Sequence, residues 1–280
     1  MSDDRTLTLD GVRVPRFLYG TAWKEDRTRT LTALALGQGF RGIDTANQRR
    51  HYHEAGVGEG IADAAIPRDE LFLQTKYTFQ PGQDHRLPYD PATPIATQVE
   101  QSFASSLEHL GTDVLDSYVL HGPSRGSGLG PADWEAWRAM EALHAAGRVR
   151  LLGISNVALD QLDALCQKAA VRPRFVQNRC YAVRGWDRAI RHYCSANGIV
   201  YQGFSLLTAN LGVIRWPEFG KIAHRHGRTL AQTVFRFALD VGMIPLTGTS
   251  DAEHMRQDLD VFDFRLDPDE VERIETLAGR

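Results

Sequence analysis

The chain has 280 residues, 42% hydrophobic and 24% charged, with three cysteines and a formal net charge of −3. This is the composition of an ordinary globular protein, and it argues against nucleic acid or an acidic membrane as a main partner, because either would want a concentrated basic patch where the arginines here are scattered. No 18-residue apolar run or export leader is present, so cytoplasm is the expected location; Cys166, Cys180 and Cys194, odd in number and far apart, read as reduced structural thiols rather than a disulfide framework or a zinc site.

Thr6–Leu9 and Val12–Val14 alternate apolar and polar residues around Asp10-Gly11, a strong hairpin signal, and are expected to form a lid under the main body. Beyond it, eight short apolar runs predict strands at Phe17–Tyr19, Arg41–Ile43, Leu71–Thr75, Val114–Leu120, Val149–Ile154, Phe175–Gln177, Ile199–Phe204 and Met243–Leu246. Helix-length segments separate them. Thr93-Pro94 reads as an N-cap and first-turn proline before the face Ile95, Val99, Phe103, Leu107 and Leu110, which Gly111 ends. Trp134 and Trp137 fall three apart on a helix over Trp134–Ala146 and read as core or rim packing. Thr229 with Gln232 spells a capping box opening a helix to Val241.

Strands alternating with helices require parallel pairing through right-handed crossovers, and eight such units make a (β/α)₈ TIM barrel with an N-terminal β-hairpin, one domain over residues 1–280, the economical α/β solution. A doubly wound sheet would announce a Gly-x-Gly-x-x-Gly turn after its first strand, and none is there. In a barrel, polar residues at strand C-termini converge on one mouth. Asp44, Lys76, His121, Ser155, Asn156 and Gln177 would share that cup.

A phenol, with an ordinary pKa near 10, needs a nearby cation to act as a general acid around neutrality. Lys76 could supply it, Asp44 on the neighbouring strand could offset the desolvation of that ammonium, and His121 adds a neutral donor or acceptor. Together they describe proton delivery to a carbonyl oxygen, with a hydride donor required from outside the chain because no side chain can provide one. That donor implies a nicotinamide.

Over nearly its whole length the chain resembles the aldo-keto reductases. The resemblance is carried by Gly20-Thr21-Ala22-Trp23, Gly39–Ala46, Glu54-Ala-Gly-Val-Gly58, Lys76, His121, Gly153-Ile-Ser-Asn156 and Gln177. It implies a catalytic tetrad of Asp44, a tyrosine, Lys76 and His121, and an extended NADPH (NADP+), with NADH also admissible. Ser155, Asn156 and Gln177 would hold the carboxamide. Phe204, in Phe204-Ser205-Leu206-Leu207, would stack on the nicotinamide, and Gly20, Thr21, Ala22, Asp44, Ser205 and Leu207 would complete that end of the site. Trp23, Tyr52, His121 and Trp186 would face a small-molecule carbonyl substrate, with Trp216 a further candidate that could equally anchor at the surface.

Three departures stand out. The family's tyrosine lies five residues after the aspartate, where this chain has Arg49; counting back from Glu54 gives His51; the phenol at hand is Tyr52, after an insertion of about two residues in Asn47–His51. The adenosine-phosphate clamp is replaced by Thr249, Ser250, His254, Gln257 and Asp258, with Arg256 alongside, so a 2′-phosphate would meet a histidine in place of an arginine. The sequence stops at Arg280, where relatives carry a long covering loop, which leads to the expectation of an open substrate mouth rimmed by a mobile Gly122–Pro131 loop.

Each residue also has a plainer reading. Asp44 could be a strand-end aspartate, His121 a core histidine and Lys76 a solvated lysine, but four tetrad types in family order outweigh these. His51/His53 and His224/His226 lack a carboxylate–histidine constellation, so no metal is expected. Two functions remain open: a carbonyl reductase, and a nicotinamide-binding redox sensor of the same fold with little turnover.

Overall fold

The computed structural model describes residues 4–277. Strands β1 (Thr6–Leu9) and β2 (Val12–Pro15) pair antiparallel. Asp10 and Gly11 between them both have positive φ, 47° and 81°, as a two-residue turn matched to strand twist demands. Val12 and Val14 pack with Leu18, Phe72, Phe175 and Ile244, all at the starts of barrel strands, so the hairpin plugs the barrel's N-terminal end.

The barrel strands are β3 (Leu18–Gly20), β4 (Gly42–Asp44), β5 (Phe72–Tyr77), β6 (Leu115–Leu120), β7 (Val149–Ser155), β8 (Phe175–Arg179), β9 (Val200–Phe204) and β10 (Met243–Thr247). Each pairs in parallel with the next and β10 closes on β3. All eight expected strands are found, displaced mostly by a residue or two because the ladders run on into the polar residues that end each apolar run. Every position of β5, β6 and β10 is buried, as strands covered on both faces must be.

Helices α1 (Thr28–Gly37), α2 (Glu54–Ala64), α3 (Ile95–Leu110), α4 (Pro131–Ala145), α5 (Leu159–Lys168), α6 (Arg188–Ala196), α7 (Leu211–Ile214), α8 (Pro217–Arg225), α9 (Leu230–Asp240), α10 (Ala252–Leu259) and α11 (Pro268–Thr276) complete the layer order. The Thr229–Gln232 box opens α9 as expected, with Gln232 N donating to Thr229 Oγ1 at 3.1 Å and Thr229 N to Gln232 Oε1 at 3.0 Å. Gly111 ends α3 in the left-handed region at φ 61°. The start of α3 differs from expectation. Pro94 is itself the cap residue, Thr93 Oγ1 turns back to Asp90 O, and Gln98 Nε2 bonds Thr93 O. Trp137 is buried in α4, with Trp134 partly buried against the same core.

Candidate active site

At the C-terminal ends of β4 and β5 a buried ion pair forms. Lys76 Nζ donates to Asp44 Oδ1 at 2.7 Å, to Asp44 Oδ2 at 2.8 Å and to Thr45 O at 2.8 Å, so none of its bonding capacity is left to water. Burial pulls the ammonium's pKa below its ordinary value, and the Asp44 charge opposes that pull. Asp44 Oδ1 also accepts from Gln74 Nε2 at 2.7 Å and Gln177 Nε2 at 2.9 Å, and both amides bond Gln202 Oε1. Gln74 and Gln202 escape a reading that looks only at the ends of apolar runs. The signal was there, since Gln74 precedes Lys76 by two and Gln202 precedes Phe204 by two, the spacing that returns a strand to the same face.

The inserted residues coil instead of lengthening a flat loop. Gln48 O accepts from His51 N at 3.3 Å and from Tyr52 N at 3.0 Å, one helical turn. Tyr52 is thereby brought over the ion pair, with Lys76 Nζ 5.4 Å from its ring centroid and the His121 ring edge-on at 6.0 Å. The phenol hydroxyl makes no hydrogen bond to any described residue. Arg50 points to solvent, and His51 stacks on Trp23 at 4.0 Å. Trp23, 67% exposed, lines a cavity of about 300 Å³ together with Arg49, His51 and Tyr52.

The two aromatic groups flanking the ion pair, Tyr52 and His121, are held neutral. Burial, and secondarily the Asp44 charge, pushes the Tyr52 phenol well above its ordinary value. Lys76 is close, but its charge is already matched by Asp44, so the resting phenol keeps its proton. Burial, then the Lys76 charge, pushes His121 down to about 3. The His121 ring is fixed by a 2.6 Å bond between Nδ1 and Thr78 Oγ1. A neutral, oriented imidazole can steer a carbonyl without bringing charge.

Ser155 ends β7 and Asn156 follows it. Ser155 Oγ donates to Gln177 O at 2.6 Å, and Asn156, at φ 51°, donates through Nδ2 to His121 O at 2.8 Å. Phe204 ends β9 partly exposed beside Arg179, followed by Ser205 at φ 56° and a partly buried Leu207. Thr21 is tied through N and Oγ1 to Asp44 O between Gly20 and Ala22. A carboxamide and an aromatic ring fit this set, because hydrogen-bonding strand ends lie beside a partly exposed phenyl ring. At the far end, Thr249 and Ser250 precede α10, whose cap Asp251 accepts from His254 N. Arg256 is paired with Glu253 and Gln257 bonds Glu253, while Asp258 is buried, its pKa raised to about 7 by desolvation despite a bond with Thr247.

Trp186 is a correction to the expected pocket wall. It is fully buried, its indole donates to Ile274 O at 3.1 Å, and its ring packs on Phe237, placing it among α9 and α11 outside the cup. The Gly122–Pro131 loop is also tied down. Asp133 accepts from Ser124 N and Gly130 N, and Gln161 Nε2 bonds Arg125 O and Gly128 O. Among the described residues no group of three His, Cys, Asp or Glu side chains is gathered to hold a metal ion, and no helix is long and apolar enough to cross a membrane.

The aldo/keto reductase family profile matches residues 18–215 and 209–278. An uncharacterized oxidoreductase of Bacillus subtilis, YtbE, is 30% identical, the match covering 96% of this chain and 90% of that protein. A glyoxal reductase of the same organism is 28% identical with the same coverage. An aldo/keto reductase of Brucella melitensis superposes with a TM-score of 0.83 at 27% identity, over 97% of this chain and 98% of that one.

Proposed function

This chain belongs to the aldo/keto reductase family of oxidoreductases, and we propose that it reduces an aldehyde or ketone to an alcohol with NAD(P)H as co-substrate. The observation that carries the reading is the buried Lys76–Asp44 pair with a protonated Tyr52, its hydroxyl without a partner among the described residues, above it and a neutral His121 at its edge. A nicotinamide dinucleotide, when bound, would supply the hydride that no side chain of the protein can provide. Tyr52 gives its proton to the carbonyl oxygen, and the phenolate so formed lies beside the Lys76 ammonium, which favours that charge. His121 holds the carbonyl oxygen in line, its own charge suppressed by burial. Ser155, Asn156 and Gln177 would hold the carboxamide, Phe204 would stack on the ring, and the segment from Thr249 to Asp258 would take the adenosine end.

Trp23 and His51 give the substrate cavity an aromatic wall that suits flat or small carbonyl compounds, and the resemblance to a glyoxal reductase adds short dicarbonyls to that class. The test is oxidation of NADPH and NADH by purified protein with glyoxal and a panel of aromatic aldehydes, followed by cofactor absorbance. Many turnovers per protein are expected with at least one of them. Tight cofactor binding with no repeated turnover would overturn the reading in favour of a redox-sensing module.

A further inference from the structure

The turn that carries Tyr52 also brings arginine to the cavity beside it. Gln48 Nε2 donates to Gly82 O at 2.7 Å and Arg86 Nη2 donates to Arg49 O at 2.8 Å, so the backbone of the turn is held at two consecutive residues. Arg86 is occupied by this task, because its charge is matched by Asp84, whose carboxylate it also meets through Nε at 3.1 Å. Arg49 differs. It is partly buried in the cavity wall, and its guanidinium makes no hydrogen bond or ion pair with any described residue. Glu25 and Asp26 line the same cavity but are exposed, and neither pairs with Arg49; an exposed pair of that kind would hold it only weakly. Burial, then the Arg50 charge, keeps the His51 imidazole below its ordinary pKa, so near neutrality the positive charge of this wall belongs to the arginines.

A guanidinium drawn partly out of water without an anion has given up hydration that an acceptor can replace, and its planar fork matches a carboxylate through two parallel N–H···O bonds. Trp23 and His51, stacked at 4.0 Å, give the same cavity a flat surface for the body of such a molecule. We propose that Arg49 is a specificity-determining residue that holds an acidic group, and that the preferred substrates of this chain are aldehydes or ketones that also carry a carboxylate. The inference rests on the carbonyl-reductase reading above and names the substrate class of the same cavity. The acid lies away from the reacting carbon, so the contact holds ground state and transition state alike, and its effect belongs in KM rather than in kcat.

The experiment compares 4-carboxybenzaldehyde with 4-formylbenzamide, which has nearly the same shape and no charge, at saturating NADPH. The amide withdraws electrons more strongly than the carboxylate, so intrinsic carbonyl reactivity works against the expected preference. The wild type is expected to favour the carboxylate in kcat/KM by on the order of tenfold or more, the scale of one charge-assisted contact, with the difference in KM. In Arg49→Met, which keeps an unbranched side chain and removes the charge, the ratio should fall to within about twofold. Arg49→Lys keeps a point charge without the fork and should retain part of the preference. Added salt should narrow the ratio in the wild type and leave it unmoved in Arg49→Met. Tryptophan fluorescence, with Trp23 in the cavity wall, reads the binding of the same compounds without turnover. A ratio near one in the wild type, or a preference that persists in Arg49→Met, overturns the inference. If neither aldehyde is reduced, the reductase reading fails, and the ratio of binding constants still decides the role of Arg49.

Discussion

Asp258 shows how a single buried carboxyl reports on the site's surroundings. Desolvation raises its pKa from 3.8 to about 7, so the folded state holds a proton that the unfolded chain has already released between those values. The stability tied to that proton is complete below the unfolded value and is lost as pH rises through about 7. Asp258→Asn should therefore change little near about pH 4 and stabilise the protein above about pH 8, by up to about 4 kcal/mol for a shift of this size. Urea melts of both proteins at the two pH values check it, and equal stability differences at both would show that the carboxyl is not the titrating group. Asp44, Lys76 and His121 were legible in the sequence because each ends an apolar strand, where a charged or polar group has no structural reason to be. Gln74 and Gln202 were passed over because uncharged amides inside strands look like solvated positions, although their two-residue spacing from Lys76 and Phe204 put them on the same strand faces.

Among the elements, the barrel strands and the hairpin could be read directly, since short apolar runs separated by helix-length segments admit few other architectures. The turn carrying Trp186 could not. Gly185, Trp186 and Asp187 all take positive φ, 67°, 55° and 55°, and this left-handed run turns the indole away from the mouth that follows β8 and into the packing of α9 and α11. Sequence places the residue after a strand, but only the backbone path says which side it enters. Trp186→Ala should cost about 3–5 kcal/mol of stability, the usual toll for emptying a large core site. The KM and kcat measured at a temperature where the variant stays folded should hardly change. A large rise in KM with stability retained would return Trp186 to the substrate wall. The helical turn at Gln48–Tyr52 makes the complementary point: counting residues from either side gave Arg49 or His51, whereas one coil of backbone brings the Tyr52 ring over Lys76, the placement on which the proposed role of the phenol rests.

At the scale of the whole molecule, the two ends of the proposed cofactor path differ in how firmly they are built. The nicotinamide end is rigid and hydrogen-bonded, whereas the adenosine end offers an exposed His254 and an Arg256 already engaged by Glu253, with Asp251 capping the helix there. NADPH should accordingly be preferred over NADH by only about 1–3 kcal/mol in binding, since a bidentate guanidinium contact is missing. Fluorescence titration of both cofactors measures this, and a preference of many thousandfold would mean that Arg256 leaves Glu253 for the phosphate. The central claim is that Tyr52 is the proton donor above the Lys76–Asp44 pair, and single-turnover reduction of an aromatic aldehyde by NADPH-saturated wild type, Tyr52→Phe and His51→Ala tests it most directly. The account predicts that Tyr52→Phe slows the step at least roughly 10²-fold with cofactor affinity unchanged, while His51→Ala is much milder; reduction that survives in Tyr52→Phe and collapses in His51→Ala would contradict it.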